Sequence, residues 1–149
     1  MTFGRVQGYS PRDAVHYLAV TRLAGIAAKA TEAERFNASA AQLQTIAAGA
    51  GARSCAAALG AMPVNFLADL AITGGNSGSP TINAKGELVG LIFDMTSDSV
   101  ASNWVFDPAL TRSIHVDERC MLWVLQEVDR ATQLLAELSI EVKQAPGPD

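Results

Sequence analysis

The chain is short of the residues that mark several large classes of protein. Its 149 residues include two cysteines and two histidines, and only 17% of them are charged. Cys55 and Cys120 cannot form a disulfide framework and do not have metal-ligand spacing, so we expect no metal site. No apolar run approaches the ~20 residues of a membrane span. A formal charge of -4 without a basic stripe argues against a nucleic-acid partner.

What is present is enough for one domain with a core of its own, because 49% of the residues are apolar. Alanine, however, fills sixteen of the 38 positions from 24 to 61, and alanine buries little area. We therefore interpret residues 24–61 as weak helix and loop rather than core. Within this stretch residues 38–48 have good helix propensity, with Asn37 or Ser39 as the N-cap.

Short alternating runs in the rest of the chain predict a mainly β structure. Residues 15–20 and 64–67 are strand candidates, whereas residues 8–11 carry turn signals. Two apolar runs joined through a Lys-Gly turn predict a β-hairpin over residues 81–93, and residues 113–116 form a further strand candidate.

The strongest periodic pattern predicts a helix over residues 118–138, where apolar residues recur at three- and four-residue spacing. Asp117 stands at the N-cap position of this helix. The last residues, 143–149, are rich in proline and glycine, and we expect them to be a disordered tail.

The segment with the clearest chemistry is Thr73-Gly-Gly-Asn-Ser-Gly-Ser-Pro80. A serine hydroxyl is a poor nucleophile, so it needs a base, donors for the oxyanion and a backbone that presents its oxygen. Glycines around Ser77 permit a tight turn in which the N–H groups of Gly75 and Ser77 form an oxyanion hole. Pro80 would fix the exit into the following strand. The alternative interpretation is a glycine-rich hairpin loop that contains a serine without a catalytic role.

This loop resembles the nucleophile loop of chymotrypsin-clan serine proteases. Strings over most of the chain are similar to the bacterial dipeptidyl-peptidases VII and XI, at residues 2–13, 63–67, 106–108, 112–117 and 121–124. The resemblance is to the C-terminal portion of a much longer enzyme. It implies a serine peptidase that removes dipeptides from free peptide N-termini, using a Ser-His-Asp triad and no cofactor.

The resemblance also implies a fold and a location. We expect a mainly β chain that forms most of the C-terminal barrel of a chymotrypsin-like double β-barrel, with a C-terminal helix. Residues 1–142 would then be a partial peptidase domain. The family implies a periplasmic enzyme, although residues 1–5 contain no hydrophobic segment of a signal peptide. Exposed strand edges of an incomplete barrel would favour association, including homo-oligomers.

Site residues follow from the resemblance one at a time. Ser77 matches the nucleophile, and the N–H groups of Gly75 and Ser77 match the oxyanion hole. Asp94 matches the acid that pairs with the α-ammonium group of the substrate. The implied partner is a peptide with a free N-terminus. Met95 occupies the position that lines the S1 pocket, where the family has glycine for hydrophobic P1 residues and arginine for acidic ones. Because methionine is neither, acidic P1 residues are disfavoured.

A catalytic base is the missing part. His16 and His115 are the only histidines, and we interpret both as structural, since the family's catalytic His and Asp lie upstream of the matched portion. We therefore expect this chain to be inactive alone. Two further predictions concern packing: Trp104 and Trp123 are anchors of the core, and Cys120 is a buried thiol.

Two alternatives remain open on the sequence. The first is a protease of the bacterial glutamyl endopeptidase type, which has a similar nucleophile loop but no anchor for a free amine. The second is a non-catalytic fragment, or a module that binds peptides without hydrolysing them.

Overall fold

The computed structural model describes residues 1–32, 36–51 and 55–140. The described residues form seven strands, and their helices are short. The strands are β1 (Tyr9–Arg12), β2 (Val15–Tyr17), β3 (Val20–Arg22), β4 (Pro63–Ala68), β5 (Pro80–Ile82), β6 (Leu88–Met95) and β7 (Ser113–Asp117). The helices are α1 (Leu23–Lys29), α2 (Ala40–Ala47), α3 (Glu118–Trp123) and α4 (Thr132–Glu137), with 3₁₀ helices at Ala57–Leu59 and Ser97–Asn103 and a π-helix at Val124–Val128.

Five of the strands form one antiparallel sheet in the order β3-β4-β7-β6-β5, and β1 pairs with β2 in a separate ribbon. The predicted mainly β class with a few helices is therefore confirmed. Within the described residues the sheet does not close into a barrel, because β3 and β5 remain its two edges.

The hairpin β5–β6 forms where the Lys-Gly turn predicts it. Gly86 has φ +81°, a value that disfavours any side chain, and the Asn83 side chain accepts hydrogen bonds from the N–H groups of Lys85 and Glu87. Strand β7 pairs with β6 and β4, and it agrees with the strand predicted at residues 113–116 to within one residue. This part of the sheet carries the nucleophile loop.

The described core cluster consists of Leu23, Met62, Cys120 and Trp123, with Trp123 fully buried. The prediction for Trp123 is confirmed. The prediction for Trp104 is wrong, because its side chain is 78% exposed at the end of the Ser97–Asn103 helix.

The alanine-rich stretch contributes more to packing than its composition suggests. Helix α2 begins after Ser39, whose hydroxyl accepts the N–H of Gln42, so the predicted cap is confirmed. Ile26 and Ile46 pack against the core cluster, which corrects the interpretation of residues 24–61 as lying outside the core. Together with Leu23 at the start of α1, these two side chains pack the alanine-rich helices against the cluster that contains Trp123.

Two other predictions of secondary structure are wrong. Residues 9–12 are strand β1 rather than a turn, because they pair with β2, and the turn lies instead at 13–14. The predicted helix 118–138 is interrupted: a π-helical turn follows α3, and Arg130 at φ +51° separates it from α4. Apolar spacing continues across this break, so periodicity alone does not reveal it.

The prediction that Cys120 is a buried thiol is confirmed. Cys120 is buried, and burial raises the pKa of its thiol to about 11, so it stays neutral and unreactive at neutral pH. Cys55 is exposed, and both cysteines are free. Across the ranges that the structure describes, no helix is long and apolar enough to span a bilayer. The predicted tail 143–149 lies outside the described residues.

Candidate active site

The predicted nucleophile loop, residues 73–80, is a tight turn built on two glycines with positive φ. Gly75 has φ +95° and Gly78 has φ +86°, so a side chain at either position would be strained. A Cβ atom added at either glycine would meet open space, so the loop leaves its surface uncovered on both sides of Ser77. The side chain of Ser77 is exposed between them.

Hydrogen bonds within the loop fix its shape. The Asn76 side chain accepts the N–H of Thr73 at 2.8 Å, and the Asn76 N–H donates to the Thr73 carbonyl at 3.3 Å. At the other end the N–H of Gly78 donates to the Ile92 carbonyl at 2.7 Å. Strand β5 then begins at Pro80, as the sequence predicts. Thus the loop is attached to strand β6 as well as to its own ends.

Strand β6 has an irregularity next to the serine. Ile92 pairs with His115 and Asp94 with Ile114, so Phe93 is the extra residue of a β-bulge. The Ser77 hydroxyl donates to the carbonyl of Phe93 at 3.3 Å. The bulge therefore supplies the hydrogen-bond acceptor that holds the Ser77 side chain in this structure.

The N–H groups predicted to bind an oxyanion have no competing partner in the described residues. Neither the Gly75 nor the Ser77 N–H group takes part in a hydrogen bond within residues 1–32, 36–51 and 55–140. Unpaired N–H donors on an exposed loop are available to an oxygen of a ligand. Their role as an oxyanion hole stays a prediction.

Asp94 and Met95 follow directly after the bulge. The Asp94 side chain is exposed, and its Oδ1 atom accepts the N–H of Met95 at 2.8 Å, which leaves Oδ2 for another partner. Met95 is half-buried at the end of β6, opposite Ser113. Its sulfur lies 3.8 Å from the Ser102 hydroxyl, which belongs to the 3₁₀ helix Ser97–Asn103.

His115 is a structural histidine, as predicted. It is fully buried, its ring stacks on Phe66 at a centroid distance of 4.7 Å, and both ring nitrogens are hydrogen-bonded. Ser113 donates its hydroxyl proton to the Ala68 carbonyl, so it must accept a proton from His115 Nε2 at 2.8 Å. His115 Nδ1 then accepts the Thr81 hydroxyl at 2.6 Å. With both nitrogens occupied, His115 is not available as a base for Ser77.

The other histidine does not complete the site either. His16 is exposed on strand β2, and its Nδ1 atom is bound to the Ser10 hydroxyl at 3.0 Å. The hydrogen bond of Ser77 goes to a carbonyl instead of an imidazole. A search of the described ranges found no group of three or more His, Cys, Asp or Glu side chains that could hold a metal ion. The structure thus brings together Ser77, Gly75 and Asp94 without a base.

The profile of the family described as Peptidase S46 matches residues 1–140. The chain belongs to this peptidase family. The curated relatives include the Asp/Glu-specific dipeptidyl-peptidase of Shewanella putrefaciens, which is 41% identical over 94% of this chain and 22% of that protein. Dipeptidyl-peptidase 7 of Phocaeicola vulgatus is 36% identical over 94% of this chain and 19% of its own length.

Solved structures of S46 peptidases have the same fold. The crystal structure of Porphyromonas endodontalis DPP11 in complex with the dipeptide Arg-Asp superposes with a TM-score of 0.87 at 34% identity, covering 94% of this chain and 20% of that one. The complex with Arg-Glu gives a TM-score of 0.88. This S46 chain therefore spans about a fifth of the length of the relatives that it matches.

Sequence reasoning misses two features of this S46 site. The bulge at Phe93 is invisible in the residue pattern, since the run from Leu88 to Met95 reads as a regular strand. The contact of Ser102 with Met95 depends on the fold of the segment after β6, for which the sequence gives no prediction. The one signal of this irregularity in the sequence is the Phe93-Asp94 pair at the end of an apolar run.

The buried His115 makes the stability of the S46 chain sensitive to acid. Burial lowers the pKa of His115 to about 4 from its ordinary value of 6.5, so the unfolded chain binds a proton that the folded chain rejects. Its stabilising contribution is complete above pH 6.5 and is lost as the pH falls to 4. We expect the free energy of unfolding to fall by about 3 kcal/mol across this window, at a rate of up to about 1.4 kcal/mol per pH unit.

Urea denaturation between pH 7 and pH 5 measures this slope, before most carboxylates titrate. His115→Asn should flatten it, while His16→Gln shows what the exposed histidine contributes. An unchanged slope in His115→Asn would contradict the assignment.

Proposed function

We propose that this chain is the nucleophile-bearing portion of a serine dipeptidyl-peptidase. The observation that carries the proposal is the exposed Ser77 between two positive-φ glycines, in a chain whose family is Peptidase S46. The two glycines adopt positive φ without strain and leave the Ser77 hydroxyl uncovered on both sides, as an attacking nucleophile requires. The relatives' names add the reaction, release of dipeptides.

In the proposed reaction the Ser77 oxygen attacks the carbonyl of the second residue of a peptide. The negative charge that develops on the carbonyl oxygen is held by the N–H groups of Gly75 and Ser77, which are free for it. The proton of Ser77 passes to a histidine of the upstream portion of the enzyme, because His115 has no free nitrogen. The same histidine then gives this proton to the leaving amine as the peptide C–N bond breaks, which leaves the dipeptide as an ester on Ser77. A water molecule, deprotonated by the histidine, attacks this ester and releases the dipeptide, and the proton returns to Ser77.

Asp94 would make the enzyme an exopeptidase. Its exposed carboxylate lies one residue beyond the carbonyl that binds the Ser77 hydroxyl, so its distance from the nucleophile is fixed by the bulge. A substrate ammonium group bound there places the second peptide bond at Ser77. A peptide whose amine is blocked cannot form this ion pair, and the site rejects it.

Met95 would form a wall of the pocket for the P1 side chain. It presents a thioether and no charge, so we infer a preference for uncharged P1 residues. This differs from the relatives that are named Asp/Glu-specific, and from DPP11, whose structures contain Arg-Asp and Arg-Glu. Divergence at one pocket residue changes specificity while it leaves the reaction unchanged.

The resemblance also implies a finer fold and a location for the enzyme. We infer that residues 1–142 form part of the C-terminal barrel of a chymotrypsin-like double barrel. We also infer that the enzyme acts on peptides with a free N-terminus in the periplasm. Strands β3 and β5 are sheet edges in the described residues, which favours contact with another chain or with the upstream portion.

A chimera tests the proposed function. In this chimera, residues 1–140 of the chain replace the matching fifth of the Shewanella putrefaciens enzyme. That enzyme supplies the remaining four-fifths. We expect the chimera to release dipeptides from peptides with a free amine, and at least about 100-fold more slowly from their Nα-acetyl forms, because loss of an ion pair costs about 3 kcal/mol or more.

Equal rates on free and acetylated peptides would favour the glutamyl endopeptidase alternative. A folded chimera without any hydrolysis would favour the non-catalytic alternative. A cooperative thermal transition establishes that the chimera is folded, and the unmodified relative serves as the positive control.

A further inference from the structure

A buried arginine joins the residue before strand β1 to the segment that precedes strand β7. Arg112 is only 4% exposed, and its Nε and Nη2 atoms donate to the carbonyl of Gly8 at 3.2 and 3.1 Å. Its Nη1 atom donates to the carbonyls of Pro108 and Thr111. Within the described ranges, no carboxylate forms an ion pair with this guanidinium. A buried charge held by carbonyls alone constrains every backbone segment that supplies them.

Tyr9 extends this constraint from the N-terminal ribbon to the segment after β6. Its buried ring lies 5.5 Å from the Arg112 guanidinium and stacks on Tyr17 on another side. Its hydroxyl donates to Asp98 Oδ2 at 2.7 Å. Burial, followed by this hydrogen bond to Asp98, raises the pKa of Tyr9, so the hydroxyl remains a donor at neutral pH.

The segment that Tyr9 reaches begins one residue after Met95. The N–H of Thr96 donates to the Arg112 carbonyl at 3.0 Å, and the buried Ser99 hydroxyl accepts the Arg112 N–H at 2.8 Å. The 3₁₀ helix that contains Asp98 also contains Ser102, whose hydroxyl touches the Met95 sulfur. The position of this helix therefore determines what lies against Met95.

We infer that Tyr9, Asp98 and Arg112 are positioning residues for the Met95 wall of the substrate pocket. They form a latch, defined as these three side chains, that holds residues 96–102 against the end of β6. The N-terminal ribbon β1–β2 thereby takes part in selecting the P1 side chain, although it is about 80 residues away in the sequence. This role in selection rests on the proposed function, whereas the latch itself does not.

Hydrogen exchange on the 149-residue chain tests the latch. Tyr9→Phe keeps the ring and its stacking but removes the hydroxyl, so we expect the N–H groups of Thr96, Ser99 and Arg112 to exchange about tenfold faster. Tyr17→Phe is the matched control, because the Tyr17 hydroxyl has no hydrogen-bond partner in the described part of the chain. Unchanged exchange in Tyr9→Phe, or an equal increase in β4 and β7, would overturn the latch.

Asp98 variants separate the hydrogen bond from general loosening. Asp98→Asn retains an oxygen that accepts the Tyr9 hydroxyl and should keep exchange at these N–H groups within about threefold of the parent. Asp98→Ala should match Tyr9→Phe. Loss of protection in both variants to the same degree would show that the carboxylate acts in another way, and would overturn the pairing with Tyr9.

Kinetics of the chimera test the role in selection. The test uses peptides that differ only in P1. For the peptide with leucine at P1, we expect Tyr9→Phe and Asp98→Ala to raise KM about fivefold. For the peptide with alanine at P1, we expect both variants to leave kcat within about twofold of the parent. A KM ratio of leucine to alanine equal to that of the parent would overturn the role in selection. An inactive parent chimera contradicts the proposed function, and hydrogen exchange then decides the latch independently.

Discussion

Replacement of Ser77 by alanine in the chimera should reduce kcat/KM for dipeptide release by at least about 10⁴-fold, the scale of losing a catalytic nucleophile. The Ser77 side chain is exposed, so its removal leaves no buried cavity, and the melting temperature should stay the same. Initial rates on a chromogenic dipeptide substrate measure the loss. A fluorophosphonate probe, which reacts with activated serines, should label the parent chimera and not Ser77→Ala.

Two controls make this result specific. Ser79→Ala removes another hydroxyl of the same loop, and it should keep the activity within a few-fold of the parent. The 149-residue chain alone should not be labelled by the fluorophosphonate, because the imidazole of His115 is fully engaged and that of His16 is bound to Ser10. Strong labelling of the chain alone would mean that a base lies within it, contrary to the structure.

The second large effect concerns Asp94. Asp94→Asn in the chimera should lower kcat/KM for peptides with a free amine by about 10²- to 10³-fold, since the ammonium group of the bound substrate loses its counter-charge. Asparagine has the same shape, and its carbonyl oxygen can still accept the N–H of Met95, so the end of β6 is preserved. Steady-state kinetics should show most of the loss in substrate binding.

The Nα-acetyl substrate is the control for this variant. Its slow hydrolysis does not depend on an ion pair, so Asp94→Asn should change it by less than about threefold. Asp107→Asn provides a matched exposed aspartate, which binds the N–H of Ala109 in its own loop. An equal loss on free and acetylated peptides would assign Asp94 to the geometry of the strand instead of the substrate amine.

Features that depend on local chemistry could be predicted from the sequence. The hairpin β5–β6 follows from a turn that needs Gly86 at positive φ, and helix α3 begins after Asp117, whose carboxylate accepts the N–H of Arg119. The loop around Ser77 follows in the same way from its glycines. In each case a few neighbouring residues determine the backbone.

Features that depend on pairing between distant segments could not be predicted. Residues 9–12 contain proline and read as a turn, but their backbone pairs with β2 and their tyrosine contacts Arg112. Trp104 reads as a core residue, although nothing in the described chain covers it. The break at Arg130 keeps the apolar spacing of a continuous helix, so the sequence pattern cannot show it.

The catalytic base for Ser77 could not be predicted for a different reason. Both histidines are accounted for by their hydrogen bonds, and the solved relatives are about five times longer than the matched portion. A site that is assembled from two parts of a long chain cannot be completed from either part. The sequence of this part nevertheless contains the proposed nucleophile and the proposed oxyanion donors.

The bulge at Phe93 has a consequence for how such enzymes change over generations. Successive side chains of a strand point to opposite faces, so loss or gain of one codon between Ile92 and Asp94 would turn the acid to the other face of the sheet. The same event would place a different carbonyl beside Ser77. Point mutations at residue 95 leave this spacing intact. In the proposed function, substrate preference is therefore open to gradual evolution through residue 95, whereas the length of the released product is fixed by the number of residues in strand β6.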